Sequence, residues 1–194
     1  MTTGFYAAAL ATISPGEHVV VIGAGPVGLF CALGAQQYVP ASVTVLDQSA
    51  ARVHFAREQI GLDAVDISGS DASEAVAEAT GGAAADVVFE AVGAAPVFKA
   101  ATRCVRDGGR VVIVGVYGSE RYELPMGVMW ARGLDLRFAG QADIQAHWDD
   151  AFGAIATGEI DPTSLITHRM PLQDAERGYE LFAAREAMKV VLQP

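Results

Sequence analysis

The sequence predicts an α/β fold: a doubly wound, parallel, six-stranded sheet with helices on both faces. Three observations predict it. Short β-branched runs alternate with helix-length segments, the connections between them are only a few residues long, and glycines stand where the runs end.

In chain order, Thr3 to about Thr12 is alanine-rich and helical, and Ser14-Pro15-Gly16 ends it in a turn. His18 to Ile22 reads as a buried strand, Pro26 to Tyr38 as a helix and Ser42 to Asp47 as a strand. Ser49 to Gln59 is a helix closed by Gly61, and Ala64 to Ile67 a short strand. The theme repeats with a helix from Asp71 to Thr80, a strand from Asp86 to Glu90 and a helix from Pro96 to Val105. The turn Asp107-Gly108-Gly109 then leads into a strand from Arg110 to Val114. A short helix from Met126 to Arg132, a strand from Leu134 to Ala139 and a helix from Ile144 to Thr157 follow, the last stopped by Gly158. The tail breaks this rhythm: Leu165 to Met170, a helix from Gln173 to Ala184 and a strand from Lys189 to Leu192 are assigned to another domain.

Composition agrees with this architecture. With 194 residues, 52% hydrophobic and 19% charged, the chain can build one buried core and pieces of a second domain. The formal charge of −10, and the absence of any Lys or Arg before Arg52, argue against nucleic acid or an anionic membrane as partner. Cys31 and Cys104 lie in apolar helical patterns and read as core thiols in a reducing compartment. The start lacks the pattern of a secretory signal, so the expected location is cytoplasmic. Val19 to Leu46 carries no charge, yet Gly23, Gly25, Pro26, Gly28, Gly34 and Pro40 punctuate it as strand, helix and strand, not a membrane span.

Gly23-Ala24-Gly25-Pro26-Val27-Gly28 fits G-x-G-x-x-G between a strand and a helix, the context its mechanism needs. Gly23 permits the tight turn, Gly25 lets backbone approach a pyrophosphate, Pro26 opens the helix, and Gly28 lets helix and strand pack closely. Backbone N–H groups and the helix dipole then bind the anion without a lysine. Asp47 ends the next strand, where a carboxylate accepts from the adenosine ribose hydroxyls and disfavours a 2′-phosphate; the expected cofactor is NAD. A plain role at the following helix start, together with Ser49, is the alternative for Asp47. The same glycine pattern also occurs in flavoproteins. Against FAD stand two further strand ends rich in glycine, Asp86 to Gly93 and Val111 to Gly118, where a nicotinamide half would lie.

These motifs closely resemble those of the medium-chain dehydrogenase superfamily, in its zinc alcohol, polyol and formaldehyde dehydrogenase-like branch. The resemblance also covers Thr3-Gly4-Phe5, Pro15-Gly16-Glu17, Asp47 with Arg52, Glu90 to Gly93, Val114-Gly115-Val116, Gly133 to Gln141 and Lys189-Val190-Val191-Leu192. It implies a Rossmann domain over residues 13–160, with 1–12 and 161–194 packing against an N-terminal zinc-binding catalytic domain. It places Val27 behind the nicotinamide ring, and Asp47 and Arg52 at the adenosine ribose. Ala91, Val92, Gly93, Val114, Gly115 and Val116 would line the nicotinamide ribose and carboxamide, with Ala139, Gly140 and Gln141 also near the carboxamide. Lys189 would reach the pyrophosphate, and Thr3 is counted with the cofactor-binding residues. A solvated helix charge for Arg52 and a strand-end lysine for Lys189 are the alternatives.

In the family the last catalytic zinc ligand falls a few residues before the position of Thr3, which here precedes Met1. Zinc is therefore expected only in the part of the enzyme outside this chain, and the chain alone is expected to be inactive. His18, His54, His147 and His168 show no ligand spacing, and Ser14, Ser119 and Ser164 no nucleophile elbow, so no catalytic or metal-binding residue is assigned. Tyr117 and Trp130 are given core or interface roles, with the lining of a pocket as the alternative. The resemblance implies hydride transfer between NAD(H) and a small alcohol or aldehyde, and a homodimer through the Leu134 to Ala139 edge. A non-catalytic NAD-binding or redox-sensing module working through a partner chain is the alternative. The coding sequence upstream of Met1 distinguishes the two.

Overall fold

A computed structural model of the chain describes residues 1–118, 122–143 and 145–194. It consists of two compact units, Met1–Ala151 and Phe152–Pro194.

The first unit contains α1 (Thr2–Ala11), β1 (His18–Ile22), α2 (Pro26–Gln36), β2 (Ser42–Asp47), α3 (Ala50–Glu58), β3 (Asp63–Asp66) and α4 (Ala72–Ala79). It continues with β4 (Ala85–Glu90), α5 (Ala95–Cys104), β5 (Val105–Ile113), α6 (Met126–Ala131) and β6 (Asp135–Phe138), and the chain passes into the second unit within α7 (Trp148–Ala156). Ile144, the expected start of that last helix, lies outside the described residues. The six strands are parallel, in the order β3-β2-β1-β4-β5-β6. Chain connectivity reverses direction between β1 and β4, which opens a crevice at their carboxyl ends, the usual ligand position in this architecture.

Parallel strands covered on both faces need apolar side chains pointing both ways. Val20, Ile22, Val88, Val111 and Ile113 join Val76 of α4 and Phe98 of α5 in one core. Their neighbours Val19, Val21, Val87, Phe89 and Val112 are equally buried and, by the twofold period of a strand, face the other way. Each such side chain contributes about 1.5–3 kcal/mol on burial. Val19 to Leu46 is thereby used as β1, α2 and β2, and among the described residues no helix is long and apolar enough to cross a membrane.

Two features of packing and register go beyond the sequence reading. α1 lies within the first unit, packed on α2: Gly4 sits so close that a Cβ there would be 2.6 Å from the backbone of Phe30, and Ala7, Ala8 and Ala11 are buried. β5 begins at Val105, not Arg110. Val105 pairs with Ala85 before the register jumps to Arg110 opposite Val87, so the Asp107-Gly108-Gly109 turn survives as a bulge, with Gly108 at φ +67°.

In the second unit Asp161 caps a 3-10 turn, Pro162–Leu165, by accepting from the Thr163 N–H. β7 (His168–Pro171) and β8 (Val190–Gln193) pair in parallel, and α8 (Ala175–Ala183) precedes β8. The stretch Leu165 to Met170 is thus divided between the turn and a strand starting at His168, because the proline and its Asp161 cap favour the turn.

Candidate functional site

The glycine-rich turn between β1 and α2 is built as its sequence requires. Gly23 adopts φ +113°, a conformation costly for any side chain, and its N–H donates to Leu46 O at 2.8 Å. A Cβ on Gly28 would overlap the carbonyl oxygen of Gly23. Gly25, by contrast, has nothing within 4 Å of where a Cβ would stand, and as the N-cap of α2 it offers no side chain to the first-turn N–H groups. Open space above a helix N-terminus, with donors not claimed by a cap, fits an anionic phosphate.

Asp47, at the end of β2, fixes this turn from the side. One carboxylate oxygen accepts the Ala24 N–H at 2.7 Å and the other the Ser49 N–H at 2.8 Å. Ser49 itself caps α3 by accepting from the Arg52 N–H at 3.4 Å, so capping falls to the serine. The Arg52 guanidinium stands 4.0 Å from Asp47.

The ends of β4 and β5 form the other half of the crevice. Ala91 N donates to Ile22 O at 2.9 Å, and a Cβ on Gly23 would lie 2.8 Å from the Val92 side chain. Gly93 has φ +86°, and a Cβ on it would overlap the backbone of Val116; one on Gly115 would overlap Gly93. The structure therefore brings Gly23, Ala91 to Gly93 and Val114 to Val116 together. Val114 is buried, whereas Val116 is 87% exposed. Ala139 is buried and tied to Ile113 O at 2.8 Å, and Gly140 borders the same region. Val27 is 40% exposed on the first turn of α2, and Thr3 lies half-buried in α1 beside Gly4. Lys189 belongs to the second unit, where it is exposed and borders an apolar groove with Tyr179 and Phe182.

Beside Gly115 and Gly140 opens a cavity of about 460 Å³, walled by Phe98, Tyr117, Leu124 and Phe138. Tyr117 meets Tyr122 edge-on at 4.9 Å and donates its hydroxyl to Glu90 at 2.9 Å. Burial first, and then the neighbouring Glu90 carboxylate, push the Tyr117 hydroxyl far above the usual tyrosine range. Tyr117 thus packs against the core, as expected, and also forms part of a cavity wall, the alternative open to it. Glu90 enters the sequence reading only as the start of the Glu90 to Gly93 match, with no role for its side chain, although an acid closing the apolar run Val87-Val88-Phe89 had to find partners if buried.

The other tempting groups have structural partners. His18 pairs with Ser42 Oγ, His147 with Asp150 and His168 with Thr167 Oγ1, and His54 is exposed. Among the described residues no three His, Cys, Asp or Glu side chains converge as a metal site. Cys31 and Cys104 are buried, which pushes both thiols up to about 12.

A doubly wound parallel sheet with a glycine turn and an acid at its crevice defines a Rossmann-type domain. The chain belongs to the zinc-binding dehydrogenase family, whose profile matches residues 26–156. It is 32% identical to human sorbitol dehydrogenase across 99% of its own length and 54% of the relative. Among solved structures, the alcohol dehydrogenase TADH of Thermus sp. ATN1 superposes with a TM-score of 0.92 at 32% identity, over 100% of this chain and 55% of that one. A zinc-binding dehydrogenase from Sinorhizobium meliloti 1021, bound to NADP, gives a TM-score of 0.86 at 27% identity, over 100% of this chain and 57% of that one. The chain thus spans about half the length of the relatives it matches.

Proposed function

We propose that this chain is the NAD(H)-holding portion of a zinc-type alcohol dehydrogenase-like oxidoreductase. The observation that carries the reading is Asp47, placed at the strand end beside the glycine turn and bonded to Ala24. Its carboxylate would accept from the adenosine ribose hydroxyls and repel a 2′-phosphate, with Arg52 alongside. The N-terminus of α2 would take the pyrophosphate, and Val27, Ala91 to Gly93, Val114 to Val116, Ala139 and Gly140 would border the nicotinamide end. Thr3 completes the proposed set. The NADP-bound relative supports a nicotinamide cofactor as a class.

When bound, the cofactor supplies the hydride acceptor or donor for a small alcohol or aldehyde. This chain's part is to bind and orient it. Polarising the substrate oxygen would fall to a zinc ion for which no ligand is assigned among this chain's residues, and the chain is proposed to turn over no alcohol by itself. Zinc-dependent turnover by the purified chain would contradict that.

β6 lies at the sheet edge with Phe138 68% exposed, which supports a homodimer through residues 134–139. A monomer in sedimentation at high concentration would contradict it. The two buried, unbridged thiols fit a reducing, cytoplasmic setting.

Calorimetric titration with NAD, NADP and FAD, repeated on Asp47→Ala, tests the reading. Preference for NAD that the substitution weakens is expected. Binding of FAD without NAD would overturn it.

A further inference from the structure

Among the described residues, Thr44, Glu90 and Thr102 are the buried polar side chains, and Glu90 alone of them is ionisable. It is 0% exposed. A carboxylate held away from water is costly unless its lone pairs are filled, and a similar apolar side chain could occupy that space without the cost. What fills them here comes from two different loops. Oε1 accepts from Val92 N at 2.9 Å and Gly93 N at 2.8 Å, and Oε2 accepts from the Tyr117 hydroxyl at 2.9 Å. The backbone carbonyl of the same residue accepts from Val114 N at 2.8 Å and Gly115 N at 2.9 Å. One residue thus ties the loop after β4 to the loop after β5, where Gly93 and Gly115 already touch too closely to admit a Cβ.

We infer that Glu90 is a positioning residue, acting with Tyr117 to hold these two loops as a single platform for the nicotinamide end of the cofactor. The inference rests on the cofactor reading above. Tyr117 is the adjustable member: its ring walls the 460 Å³ cavity, and its hydroxyl fixes that ring to Glu90. Without that bond the ring keeps its edge contact with Tyr122, and the loop bearing Val116 loses its side-chain tether while the backbone bonds from Val114 and Gly115 remain. The adenosine end is held by different residues, Asp47 and the turn at Gly23 to Gly28, which contact neither Glu90 carboxylate oxygen.

The experiment compares ADP-ribose, which lacks nicotinamide, with NADH on the 194-residue chain, by calorimetry and by nucleotide fluorescence. Wild type is set beside Tyr117→Phe, Glu90→Gln and the double variant. Both single variants should hold ADP-ribose within about twofold of wild type and weaken NADH roughly tenfold, the scale of one hydrogen bond to a charged group. The double variant should be no weaker than Glu90→Gln, since the two residues act through one bond. Equal weakening of both ligands, or of neither, overturns the inference. Should Glu90→Gln fail to fold, Tyr117→Phe with an unchanged melting temperature decides alone. A wild-type chain that binds ADP-ribose but gains nothing from nicotinamide overturns the platform and spares the adenosine site; one that binds neither overturns the cofactor reading itself.

Discussion

The carboxylate of Asp47 and the backbone N–H of Ala24 stand 2.7 Å apart, so the end of β2 holds the turn that leaves β1. The same acid that would meet a ribose also shapes the phosphate loop. Asp47→Ala should therefore weaken NADH at least about tenfold and also reduce the preference for NADH over NADPH. Competitive fluorescence titration measures both. An unchanged ratio between the two nucleotides would show that Asp47 does not read the ribose.

Two glycines of one motif should respond in opposite ways. Gly28→Ala drives a methyl into the Gly23 carbonyl and should cost roughly 2–4 kcal/mol in denaturant unfolding. Gly25→Ala meets open space at an ordinary φ of −78°, so stability should move by no more than about 0.5 kcal/mol. Its methyl would stand where the pyrophosphate is proposed, and NADH affinity should fall. If Gly25→Ala binds NADH normally, the phosphate lies elsewhere.

Val39 adopts φ +55° while 71% exposed, a left-handed conformation that a β-branched side chain resists. Val39→Gly should raise stability by about 0.5–1 kcal/mol, the relieved strain outweighing glycine's greater unfolded-state entropy. A lower melting temperature would mean that the side chain makes a contact worth more than the strain.

Asp86, the second residue of β4, joins β1 to the bulge of β5, accepting from His18 N at 2.8 Å and from Arg106 Nε at 2.6 Å. Burial alone would raise its pKa, but the hydrogen bonds from Arg106 and His18 and their nearby charges outweigh burial and hold the carboxyl below the usual aspartate range. A depressed folded value means that the stabilisation is complete above the ordinary aspartate range and is lost as pH falls through the lowered one. Asp86→Asn should melt earlier at neutral pH, and the gap from wild type should close on acidification. A gap that is constant with pH would assign the loss to packing.

The sheet was legible because its strands are continuous valine-rich runs bounded by glycines, and Gly23 to Gly28 carries its geometry in its spacing. The start of β5 was not: Asp107-Gly108-Gly109 reads as a turn, and only the pairing of Val105 with Ala85 converts it to a bulge. The packing of α1 on α2 was also hidden, since it depends on the small size of Gly4 and Ala8 opposite Gly34, which no periodicity announces. The role of the Glu90 side chain was hidden because it depends on Tyr117, 27 residues away in sequence and joined only by the sheet.

Amide chemical shifts of the nitrogen-15-labelled chain, followed during titration with NAD, test the proposed site most directly. Shifts should concentrate at Gly23 to Gly28, Ala91 to Gly93 and Val114 to Val116. Saturable shifts confined to other residues, or none at all, would contradict a cofactor seat at this crevice.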